Sequence, residues 1–203
     1  MKTFIKLTVL LLAALLLSAC VRAEMTDVVS FCKHTKTPQS AALSLTDCLL
    51  ENEDGERRFF WSFADGLALR LICTEDGRIV QCRVLLQRMQ TDGSPFAVTP
   101  QRVDAFCALC ARACAALEEI TEAQTQTVFE TLKLRDTTTY AAMGESPLFD
   151  GGGFFARLVS NDSQTVLELS NRWLAPQSEK QTPESVPAFD ETTNIRTETV
   201  PLK

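Results

Sequence analysis

Between residues 43 and 88 apolar and polar positions alternate, and Asp-Gly pairs at 54–55, 65–66 and 76–77 interrupt the alternation. Alternation directs successive side chains to opposite faces of a strand, and Asp-Gly readily takes the positive φ angles of a tight hairpin turn. Three such turns predict a four-stranded antiparallel meander over roughly 43–52, 56–63, 67–74 and 78–88. Turn length then fixes register. A two-residue turn at Asp76-Gly77 sets Leu69 opposite Val84, Leu71 opposite Cys82 and Cys73 opposite Val80. A bulged turn at 65–67 adds Phe59, Trp61 and Phe63 to the same face, and the turn at Asp54-Gly55 adds Cys48 and Leu50. One face of the meander is thereby apolar throughout.

Elsewhere the period changes. Met25, Val28, Val29 and Cys32 recur at helical spacing, and the helix they predict ends within Thr35 to Ser40, which contains Pro38. Thr99 followed by Pro100 marks a helix start, the threonine as N-cap and the proline at the first helical position. Val103, Phe106, Cys107, Cys110, Cys114 and Leu117 form its inner stripe. Thr121 and Gln124 make a capping box for a second helix with Val128, Phe129 and Leu132 inside, ending near Arg135. After Pro147 and the run Asp150 to Gly153, alternation returns, and a turn at Asn161-Asp162 pairs Phe154 with Leu169, Ala156 with Leu167 and Leu158 with Thr165. The expected fold class is α+β: an antiparallel sheet of about six strands, a meander plus a C-terminal hairpin, covered on one face by one or two helices. Strand order stays open.

The ends of the chain read differently. From about Ala175 to Lys203 large apolar residues are few among Pro, Ser, Thr, Gln and Glu, the composition of a disordered tail. At the other end Lys2 and Lys6 precede Leu7 to Leu17, broken only by Thr8 and two alanines, which matches the charged and apolar regions of an export signal. Counted from Phe4 to Val21 the run only just reaches the ~18 apolar residues that begin to permit spanning, so a cleaved signal is the adopted reading and a permanent span the runner-up. Leu17, Ser18, Ala19 and Cys20 follow: an aliphatic residue, two small ones and a cysteine. This stretch resembles the lipobox of bacterial lipoproteins. The resemblance implies a diacylglycerol on the Cys20 thiol, cleavage just before it and a mature chain beginning there. Val21-Arg22-Ala23 also fits an ordinary signal cleavage site, with the mature chain then starting at Glu24. The resulting organisation is a signal peptide over 1–19, an anchor and short tether over 20–26, an α+β domain over 27–174 and a tail over 175–203.

Charge narrows the partners. The formal net charge of −6 becomes −8 once Lys2 and Lys6 leave with the signal, since no acid leaves with them. Such a chain is a poor ligand for nucleic acid, whose binding rests on clustered Lys and Arg. Membrane residence at the extracytoplasmic face would rest on the acyl chains of Cys20 rather than on a basic patch, with an envelope protein as the expected further partner.

The eight cysteines leave seven after Cys20, an odd number that cannot pair completely within one chain. Alternation points Cys48, Cys73 and Cys82 inward, and the helical stripe points Cys107, Cys110 and Cys114 toward them. Reduced structural thiols are the adopted reading. Sheet-to-helix disulfides and a metal or iron–sulfur site are the alternatives, the last needing a further ligand and a polar surround. Cys107-Ala-Leu-Cys110 lies two turns inside its helix, away from the terminus that activates a redox thiol. Any Ser-His or Cys-His mechanism must use His34, the single histidine, whose neighbour Cys32 faces another side of the helix. Among motifs, GxSxG, HExxH and the phosphate loop are missing, so no catalytic residue, cofactor or metal is assigned. Arg70 and Arg83 fall opposite each other on the outer face, a like-charge pairing that calls for an anion. Asp47, an acid from the helices, or an anionic ligand or partner would supply it. The function expected is a non-enzymatic binding or scaffolding domain at the bacterial cell envelope; an envelope hydrolase and a thiol redox or metal protein are the competing classes.

Overall fold

The computed structural model describes residues 25–171 apart from 39, 54 and 91. The signal, the lipobox and the 175–203 tail lie outside the described residues.

The order of elements is α1 (Val28–His34), β1 (Leu49–Glu53), β2 (Glu56–Phe63), β3 (Leu67–Thr74), β4 (Ile79–Gln87), α2 (Pro100–Ala116), α3 (Glu122–Thr131), β5 (Gly144–Glu145), β6 (Phe149–Asp150), β7 (Phe154–Ser160) and β8 (Gln164–Asn171). The fold is α+β, one antiparallel sheet in the order β1-β2-β3-β4-β8-β7-β5, with β6 also pairing β7. The C-terminal hairpin thus joins the meander through β4, and two two-residue strands raise the described sheet to eight.

Local chemistry explains the boundaries. Thr99 accepts a hydrogen bond from the Arg102 N–H at the start of α2, and Thr121 and Gln124 cap α3 reciprocally. α3 ends earlier than the expected Arg135. Lys133 takes a positive φ of 50°, its N–H bonds to the Glu130 carbonyl, and the Leu134 N–H bonds back to Phe129. That pair of bonds satisfies the last carbonyls and stops the helix. The bulged turn after β2 places Asp65 and Gly66 in the left-handed region, and a side chain at 66 would meet the Phe96 ring and Gln87.

Register agrees with the alternation at Leu69–Val84, Leu71–Cys82, Phe59–Leu71 and Trp61–Leu69. Three expectations are corrected. Cys73 faces Ile79 rather than Val80, because a bulge follows Ile72 and turns Ile79 into the core. The last hairpin pairs Phe154 with Asn171, Ala156 with Leu169 and Leu158 with Leu167. Its turn centres on Asp162-Ser163, one residue later than expected, where the Asn161 side chain accepts the Ser163 and Gln164 N–H groups; the two-residue shift in pairing leaves every side chain on its expected face. The first strand begins only at Leu49, after a 3₁₀ turn at Leu45–Asp47, and forms the sheet edge, where all five residues are exposed. Leu50 therefore contributes little to the core.

Among the described residues three helices, one more than the upper expectation, pack on a single face. Phe31 of α1, Val103, Phe106 and Cys110 of α2 and Val128 of α3 join Trp61, Leu69, Leu71, Val84 and Leu167 in one buried cluster. Each large side chain buried in this way contributes about 1.5–3 kcal/mol of transfer free energy. Phe106 meets Tyr140 edge to face at 5.8 Å. Two arginines stitch the layers. Arg102 stacks on Phe96 and donates to the carbonyls of Asp65, Gln87 and Ala97, while Arg112 donates to those of Thr35 and Ala41. Burial lowers the pKa of both guanidinium groups from its ordinary value, which these carbonyls partly answer as acceptors.

Candidate functional site

The inward-facing cysteines meet as the two periodicities predict. Cys73, Cys82, Cys107, Cys110 and Cys114 are buried, and α1 adds Cys32, a seventh described thiol that the inward set did not include. Cys48 departs from the expectation. It is half-buried, packed against the core from the turn before β1, and donates to the Leu45 carbonyl at 3.2 Å. All seven are free thiols. Burial pushes Cys32 up to about 11 and Cys73 and Cys114 up to about 12, and it raises Cys82 and Cys110 well above the ordinary thiol value. Mutual electrostatic effects link Cys48 to Cys32, Cys32 to Cys73, Cys73 to Cys82, and Cys82 to Cys110 and Cys114. Each would oppose ionisation of its neighbour, so the row is held protonated at neutral pH. Cys107 and the Tyr140 hydroxyl both donate to the Leu134 carbonyl, at 3.0 and 2.5 Å, which ties the row to the loop after α3. Among the described residues, no group of three or more His, Cys, Asp or Glu side chains is arranged to hold a metal ion.

On the outer face Arg70 and Arg83 do stand opposite each other. The acid is not Asp47. Glu168, brought alongside by the β4–β8 pairing, lies 3.1 Å from Arg83 and 2.6 Å from Arg157, while Glu51 lies 3.6 Å from Arg70. Glu145 extends the line to Arg157 at 2.9 Å. Burial alone would lower the pKa of Arg157, but hydrogen bonds and attraction from Glu168 and Glu145 outweigh it and raise the value. The result is a ladder of charge across the sheet in which the adjacent Arg70 and Arg83 are flanked by Glu51 on one side and Glu168 on the other. Beside it, Ala68, Leu85 and Val166 form a small buried apolar cluster with Phe60. Glu168 lies between the inward-facing Leu167 and Leu169 and so projects to this face, but only strand order makes it the counterion of Arg83, an acid the sequence reading did not name.

His34 lies with its Nδ1 3.6 Å from Glu118 at the surface. An open cleft of about 390 Å³ is lined by Arg88, Val98, Thr137, Thr138, Tyr140 and Ala141. Sequence offered no signal for it, because its walls come from two separate connections, β4–α2 and α3–β5. The segment entering α1 is fixed as well. Thr26 donates its N–H and its hydroxyl to the two carboxylate oxygens of Glu119, each at 2.7 Å, and accepts from the Glu118 N–H. No helix among the described residues is long and apolar enough to cross a membrane. Comparison with protein-family models, curated proteins and solved structures finds no match.

Proposed function

We propose that this protein is a lipid-anchored, extracytoplasmic component of a bacterial cell envelope, acting by binding or scaffolding rather than by catalysis. The observation that carries the reading is the succession of Lys2 and Lys6, the apolar run and Leu17-Ser18-Ala19-Cys20. Support for a non-enzymatic role comes from the groups most able to do chemistry. Six of the seven described thiols are buried and held protonated, and the single histidine lies against a surface carboxylate. The outer-face arginines are met by acids of the same sheet, which favours a structural role for Arg70 and Arg83 over capture of an anionic ligand.

The reading is tested by Cys20→Ser. Fractionation of cells should find the variant released from membranes or retained as uncleaved precursor. Unaltered processing and membrane association would overturn the proposal.

A further inference from the structure

The described chain begins at a fixed point on one end of the sheet. Besides the Thr26 bonds to Glu118 and Glu119, the Ile79 N–H donates to the Thr26 carbonyl, the Val28 N–H donates to Gly77, and Arg78 donates to the Met25 carbonyl. These contacts clamp residues 25–28 between the β3–β4 turn and the α2–α3 connection. The first turn of α1 is capped from the same place, the Asp27 carboxylate accepting the Val29 and Ser30 N–H groups. Every partner in that network lies among the described residues.

From Cys20 to Thr26 there are only six residue steps, which extend at most roughly 20 Å. We infer that the end bearing the β3–β4 turn and the α2–α3 connection faces the lipid surface, with the opposite end presented outward; this rests on lipidation of Cys20. The nine residues of β4 set the two ends about 30 Å apart. A tether shorter than the domain cannot let the ends exchange places freely.

The facing end is acidic on balance, exposing Glu53, Glu75, Asp76, Glu118 and Glu122 against Arg57, Arg58 and Arg78. It therefore fits an uncharged or zwitterionic headgroup layer, held near it by the tether rather than by attraction. The outward end carries the β2–β3 turn, the hairpin closed by Met89 and Pro95, and the cleft beside Arg88. Partner contacts reach that end without competing with the bilayer.

The test uses the full lipidated chain in phosphatidylcholine vesicles containing an acceptor-labelled lipid. A donor dye is placed on Glu75→Cys or Asp92→Cys, with the signal of the unmutated chain subtracted. Both positions are exposed, at opposite ends. Energy transfer should be on the order of twofold more efficient from position 75 than from 92, given the ~30 Å separation. A flexible Gly-Ser insertion of ~20 residues between Arg22 and Ala23 should remove the difference. Equal transfer without the insertion, in a chain that floats with the vesicles and carries lipid on Cys20, overturns the orientation alone. A chain without lipid on Cys20 overturns both the anchor and the orientation.

Discussion

Raising the pH should unfold this protein through its thiols. Burial lifts Cys32 from the ordinary 9.0 to about 11, and Cys73 and Cys114 to about 12. Below pH 9 these groups are protonated in both the folded and the unfolded chain, and their contribution to stability is fully present. As pH rises through 9 toward 11–12 the unfolded chain releases its protons first, so stability is lost. Between pH 8 and pH 10 each of the three loses about 1.3 kcal/mol, or about 4 kcal/mol together. Against a typical total of ~5–15 kcal/mol that is a large fraction. Cys82, Cys110 and the raised hydroxyl of Tyr140 act in the same direction. Urea unfolding of the reduced protein at the two pH values reads the difference directly. Cys73→Ala, though less stable at pH 8, should show about 1.3 kcal/mol less loss on going to pH 10. A stability that stays level to pH 10 would refute the reasoning, because thiols that are solvated or joined in disulfides do not produce this slope.

Other perturbations probe separate links. Glu168→Gln strips the shared counterion from Arg83 and Arg157 and should cost about 3 kcal/mol in urea unfolding; an unchanged midpoint would mean the ladder carries no stability. Thr121→Ala removes the cap of α3 and should cost about 1 kcal/mol, visible as a lower thermal midpoint, whereas Thr125→Ala should cost less. A thiol reagent should modify at most the half-buried Cys48 rapidly in the native protein and all seven described thiols after denaturation without reductant; rapid native labelling of several would contradict the strand and helix placement.

Sequence made the local elements legible because period, cap and turn chemistry act over a few residues. Thr99-Pro100, the Thr121–Gln124 box and the Asp65-Gly66 turn each form as their residue types require. Facing sides were equally readable, since even the two-residue slip in the last hairpin preserves them. What was not legible depends on distant pairing. β8 lies beside β4, and only that adjacency gives Arg83 its acid and places β1 at an edge that exposes Leu49 and Leu50. The bulge after Ile72 exchanges Val80 for Ile79 in the core, a choice that tertiary packing makes and alternation alone cannot. Cys32 sat on the inner stripe of a helix from the start, yet its meeting with Cys73 awaited the docking of α1 on the sheet.

The anchor at Cys20 is the central claim, and it is tested most directly by the mass of the amino-terminal peptide from the membrane-bound protein. A peptide beginning at Cys20 with a diacylglycerol on its thiol is the expected result. An unmodified mature chain beginning at Glu24 would contradict it, and would make this an exported protein with no lipid at its start.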